Sequence, residues 1–175
     1  PERGVNVNLG TLWDRRIPNG IFQLEVNLFG NYLRDMIRQT QNYTQTRYEN
    51  FGEMRTLGVE AEVKADVLPW LYGYANVTFQ DLRDVREYEP DSKAPNPTRH
   101  LRMPNIPYFL ANAGLEYHRE NLFGTKRTNT RLFADASFVE EYFYDFEQSI
   151  HQERRIPRSM RLDLGLEYSL MDGRI

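Results

Sequence analysis

The sequence predicts an all-β fold, an antiparallel up-and-down meander. Three observations predict it. Apolar residues recur at every second position in segment after segment, turn residues separate the segments, and the connections alternate between short and long. The stretch GVEAEVKADV shows the first of these most plainly. Val59, Ala61, Val63, Ala65 and Val67 fall on one face, and Glu60, Glu62, Lys64 and Asp66 on the other. Successive side chains of a strand point to opposite sides. This strand therefore divides an apolar environment from a polar one.

The other elements follow in chain order. VNVNLGTLW places Val5, Val7, Leu9, Thr11 and Trp13 together. IPNG then turns the chain, with Asn19-Gly20 as the hairpin signal because both residues accept positive φ. IFQLEVNLFGNYL sets Phe22, Leu24, Val26 and Leu28 against Gln23, Glu25, Asn27 and Asn31, and Phe29 breaks the pattern. The polar stretch QTQNYTQTRYEN reads as a loop over about 39–50, ahead of the third strand at 58–67. Pro69 cannot donate to a ladder and forces a tight turn. LYGYANVTFQ alternates next, followed by a long Pro-rich charged connection over 84–105. FLANAGLEYH, RLFADASF and MRLDLGLEYSL complete the series of seven strands, and an eighth is expected to begin near Arg174.

Composition bounds the function. The net charge is −3, from 22 basic and 25 acidic residues, and the basic residues are scattered, so nucleic acid is not an expected partner. There is no cysteine, which excludes disulfides and thiolate metal sites. Mean hydropathy is −0.69. No run of about 18 apolar residues exists, so no helix of this chain spans a membrane. A β-barrel escapes that test, because alternation averages its lipid face away. No nucleophile elbow, zinc-protease motif or phosphate loop occurs. Neither an enzyme nor a cofactor is expected.

Two architectures share this alternation. In a soluble sheet the apolar face packs on a second layer; in a membrane barrel it meets lipid. Three features favour a large transmembrane β-barrel. The apolar faces are poor in polar residues, as expected where a charge costs about 2–4 kcal/mol. Tight turns gather at one end and long loops at the other. Trp13, Trp70, Tyr117 and Tyr168 fall where the apolar faces end, as an interfacial aromatic belt would place them. A passive porin- or adhesin-type barrel and a soluble β-sheet binding domain remain the alternatives.

YENFGEMRTLGVEAEVKADVLPWLYGYANVTF resembles a recurring segment of TonB-dependent outer-membrane receptors, in which a Gly-hydrophobic-Glu strand precedes one with a Tyr-x-Asn-hydrophobic-Thr pattern. RMPNIPYFLANAGLEY is similar to that family's Arg-x-Pro-x-x-Pro lead into a late barrel strand, and VNLFGNYLRDMI to a strand leaving the barrel for a surface loop. The loop style resembles that of Bacteroidota-type members. The resemblance implies a bacterial outer-membrane location and active import of a scarce ligand: a ferric siderophore, haem, cobalamin or a glycan. It implies a lipid bilayer and lipopolysaccharide as surroundings, a small-molecule or metal-chelate ligand, and a TonB complex acting through an N-terminal region. On this reading residues 1–175 are a partial barrel domain, with the plug and the final strands outside it.

Ligand contacts would then lie on the long loops, over about 39–50, 84–105 and 142–157. Tyr48, Tyr88 and Tyr144 are candidate aromatic contacts, or else rim packing residues. Arg154, with Arg155 and Arg158, would either bind an anionic ligand or pair with Glu140, Glu141 or Glu147 across a hairpin. Glu116 and His118 share the polar face, as a metal pair or as solvated lumen residues.

Overall fold

A computed structural model of the protein describes residues 2–42, 45–89, 93–122, 127–144 and 154–170, with backbone alone at 38–42 and 45–51. Nine strands form among the described residues: β1 (Arg3–Ile17), β2 (Gly20–Asn42), β3 (Gln45–Leu68), β4 (Leu71–Asp84), β5 (Phe109–Glu120), β6 (Thr128–Val139), β7 (Tyr142–Phe143), β8 (Arg155–Ile156) and β9 (Ser159–Leu170). Seven of them make one antiparallel sheet in the order β1-β2-β3-β4-β5-β6-β9, while β7 and β8 pair as a separate small hairpin. The meander and its order follow the sequence pattern. Residues 171–175, where the eighth barrel strand was expected, lie outside the described residues.

Register keeps the two faces in step across all seven strands. One row runs Trp13, Leu24, Val63, Ala75, Ala113, Ala136, Leu162; the row one residue away runs Leu12, Glu25, Glu62, Asn76, Asn112, Ser137, Arg161. A slip of one residue anywhere would exchange these faces. The apolar face has no covering layer. Leu9 is 70% exposed and Leu164 73%, and Phe143 is the one buried large apolar side chain among the described residues. A soluble sandwich buries that face under a second sheet; here it forms an outer wall.

The apolar band has visible limits. In β4 it spans Leu71 to Phe79, nine residues, or about 30 Å along a strand and roughly 25 Å across a bilayer once tilted. At the short-turn end Trp13 meets Phe22 and Trp70 meets Tyr117, edge to face at 5.7 and 5.4 Å. At the other end Phe79 meets Tyr108 at 6.4 Å, and Phe109 meets Phe138 at 6.0 Å. These pairs form two aromatic borders of the kind that fixes a barrel at the headgroup level.

Two expectations are corrected. The residues between paired Ile17 and Gly20 are Pro18 and Asn19, so Asn19-Gly20 is not the central pair of the turn. Proline fixes φ near −65°, which rules out the doubly left-handed turn; the positive φ, 149°, falls on Gly20 instead. Second, the stretch at 39–50 is not a loop. β2 and β3 continue their ladder past a bulge at Leu33–Met36 to a last pair, Asn42 with Gln45. Hydrophobic alternation stops there while backbone pairing continues.

Candidate functional site

The long-loop end is organised around one carboxylate. β4 runs past the aromatic border and ends at Asp84, which is fully buried. Asp84 accepts hydrogen bonds from Arg86 Nη2 at 2.7 Å, the Arg86 backbone N–H at 3.0 Å, Asn96 Nδ2 at 3.0 Å and Thr98 Oγ1 at 2.8 Å. The His100 N–H donates to the Asp84 carbonyl at 2.7 Å. One side chain thus ties Arg86, Asn96 and Thr98 to the end of the strand that precedes them. Burial pushes the Asp84 carboxyl up; the bonds from Arg86, Asn96 and Thr98 outweigh it and hold the group below its ordinary value.

A second node lies on the outward side. Asp81 accepts from Arg83 Nε at 2.6 Å and Arg102 Nε at 3.0 Å, and Arg102 lies 4.3 Å over the Tyr108 ring. Burial raises the Asp81 carboxyl, while these two arginines bring it below its ordinary value. The Asn105 N–H then donates to the Phe143 carbonyl at 2.7 Å, tying this loop to the β7–β8 hairpin. In that hairpin Arg155 stands opposite Phe143, 5.2 Å over its ring, and pairs with Glu141. That is one of the cross-hairpin pairings expected of these residues.

The candidate contacts separate into groups. The Tyr144 N–H donates to the Arg154 carbonyl at 3.2 Å, so those two are brought together next to the β7–β8 pairing, with Tyr144 51% exposed. Tyr88 is 54% exposed on the neighbouring loop and bridges to Pro95. The Tyr48 backbone pairs with Gln39 high on β3, and its side chain lies outside the described residues. All four belong to the long-loop end.

The polar face carries its own structure. A cavity of about 270 Å³ is lined by Glu25, Asn27, Glu60, Glu62 and Asn76. Asn27 Nδ2 donates to Glu60 at 3.3 Å, and Lys64 pairs with Glu62. Nearer the short turns, Arg131 stands between Glu116 at 2.6 Å and Glu167 at 3.7 Å, while His118 bonds Asn129 at 2.6 Å. Glu116 is therefore paired with Arg131 rather than with His118, and no metal-ligating cluster exists among the described residues.

The sequence matches the family model for TonB dependent receptor-like, beta-barrel over residues 1–174. The chain belongs to the TonB-dependent receptor β-barrel family. Its fold is similar to the ferric yersiniabactin uptake receptor FyuA from Yersinia pestis, with TM-score 0.65 and 20% identity over 94% of this chain. The chain spans 22% of that receptor. No curated protein matches the sequence.

Within a TonB-dependent receptor barrel of the bacterial outer membrane, the apolar band is the lipid face and the charged face is the interior. Sequence reasoning missed the Asp84 node. Its signal was local: an acid at the end of an alternating strand, followed by Arg86, Asn96 and Thr98 in a Pro-rich loop. It also left unplaced Phe29, which covers Gly58 on the interior face, where an added Cβ would overlap the ring. Phe133 over Gly165 and Tyr74 over Gly114 repeat the arrangement.

Proposed function

We propose that these residues are wall and rim of a transporter that imports a scarce ligand across the outer membrane, driven by a TonB complex and without catalysis. The observation that carries the reading is the family match across residues 1–174. Its support in the fold is a wall with lipid-type chemistry outside, paired charges inside, and a rim loop anchored by the ion pair on buried Asp84 and the half-buried pair of Arg102 with Asp81. The ligand class is a ferric siderophore, haem, cobalamin or a glycan. A ferric siderophore is the first to test, because the similar structure is a ferric yersiniabactin uptake receptor. Tyr48, Tyr88, Tyr144 and Arg154 are proposed contacts at the outer rim, where the exposed Tyr88 and Tyr144 rings and the Arg154 cation suit a chelate surface. TonB would act through the receptor's N-terminal region, outside these residues.

Radiolabelled uptake by cells carrying the full-length gene tests this. Uptake of one ligand class is expected to disappear when either the gene or TonB is removed. Uptake that persists without TonB points to a passive porin and contradicts the proposal.

A further inference from the structure

Tyr88, Tyr144 and Arg154 sit on connections between barrel strands. A connection longer than about 12–15 residues is uncommon, and a free one acts as a lid or a linker. The chain between β4 and β5 is built otherwise, because it returns along the top of β4. The Asp84 N–H donates to the Leu101 carbonyl at 3.1 Å, the Met103 N–H to the Leu82 carbonyl at 2.9 Å and the Gln80 N–H to the Tyr108 carbonyl at 2.9 Å. On their other side Asp84, Leu82 and Gln80 stand opposite Met54, Thr56 and Gly58 of β3. The returning segment therefore takes the place of a neighbouring strand, and the wall continues through it to the rim.

Each candidate contact is tied to this segment at a separate point. Tyr88 stands on a small outgrowth whose two arms pair: the Asn96 N–H donates to the Glu87 carbonyl at 3.1 Å and the Glu89 N–H to the Ala94 carbonyl at 3.0 Å. Its base is buried Asp84, through the bonds from Arg86, Asn96 and Thr98. β3 braces the same base from the side. The Val85 N–H donates to the Glu53 carbonyl at 3.0 Å, and the Arg86 stem lies over Gly52, where an added Cβ would overlap it. The second tie is Asn105. Its φ of 59° is in the left-handed region that asparagine tolerates, and its N–H donates to the Phe143 carbonyl at 2.7 Å. Phe143 is itself buried, and Tyr144 follows it with its N–H on the Arg154 carbonyl.

We infer that residues 84–89 and 93–108 form a fixed strut that holds Tyr88 and the Tyr144–Arg154 pair as one body, so that this part of the rim meets its ligand already assembled instead of closing one loop onto another. A surface held in its bound arrangement loses less freedom when a ligand arrives. Asp84 and Asn105 are its positioning residues. Asp84 acts through Tyr88, and Asn105 through Tyr144 and Arg154. The role in binding rests on the reading of those three as ligand contacts; the strut itself is a statement about distances.

The test is pulsed electron paramagnetic resonance on the full-length receptor in nanodiscs, without ligand, with spin labels on Tyr88→Cys and Tyr144→Cys in a background free of other cysteines. Both positions are held by backbone bonds, which cysteine keeps. A single narrow distance distribution is expected. Asp84→Asn should lose it, by releasing the base of the Tyr88 outgrowth. Asn105→Val should lose it as well, because a β-branched residue does not settle at a positive φ. Asn105→Gly should keep it, since glycine adopts that φ freely and retains the N–H. Should Asp84→Asn fail to assemble, the contrast between Asn105→Val and Asn105→Gly decides. A broad or multiple distribution before either substitution, or one that stays narrow in Asp84→Asn or in Asn105→Val, overturns the strut. The distances are read apart from transport, so uptake that persists without TonB, beside a narrow distribution, overturns the transporter reading and leaves the strut standing.

Discussion

At the scale of single residues, position relative to the membrane decides what a charge costs. Val63 and Glu62 are neighbours in sequence and opposite in environment, one in the lipid-facing row and one in the interior row. Val63→Arg should cost about 2–4 kcal/mol near the midplane and impair assembly, read as loss of the heat-modifiable folded band. Glu62→Arg should be comparatively mild. Asp84 poses the converse case, a charge held by its neighbours. Replacing one member of a buried ion pair costs about 3–5 kcal/mol. Asp84→Asn should therefore expose residues 85–101 to protease while the barrel strands stay protected. The pH dependence follows in sign. The folded carboxyl titrates below its ordinary value. Its contribution is complete above the unfolded pKa of about 3.9 and is lost as pH falls through the lower folded value. Amide exchange at His100 should be flat with respect to this group from neutral pH down to mild acid, and rise only in strong acid. Acceleration already near neutral pH would contradict the assignment.

At the scale of elements, the strands were legible where the two faces meet different solvents and illegible where they do not. Val59 to Val67 alternates because lipid and interior impose opposite demands. The backbone pairing of 39–42 with 45–48 continues the ladder without any alternation in the sequence, so it leaves no periodic trace. The pairing of Arg155 with Glu141, one of those the sequence offered, was legible because the charges are close in sequence. The aromatic-over-glycine pairs were not, because Phe29 and Gly58 meet only through register. Each pair keeps an open backbone covered on the interior face. Gly58→Val should force Phe29 off its seat at a cost of about 1–3 kcal/mol, lowering the unfolding midpoint of the assembled receptor. Phe29→Ala together with Gly58→Val should recover part of it.

At the scale of the whole molecule, seven strands form one wall with two chemistries and almost no core of their own. β1 and β9 each have one side without a partner among the described strands. Free edges beside an exposed apolar face promote association. These 175 residues alone should give aggregates rather than a monodisperse soluble monomer by size-exclusion without detergent. The most direct test of the account is spin-label accessibility along residues 58–67 of the assembled full-length receptor, in a chain segment that carries no cysteine of its own. Single cysteines at Val59, Ala61, Val63, Ala65 and Val67 are predicted to favour collision with dissolved oxygen, and those at Glu60, Glu62, Lys64 and Asp66 with a water-soluble nickel chelate. Absence of a period of two, or the opposite phase, would contradict it.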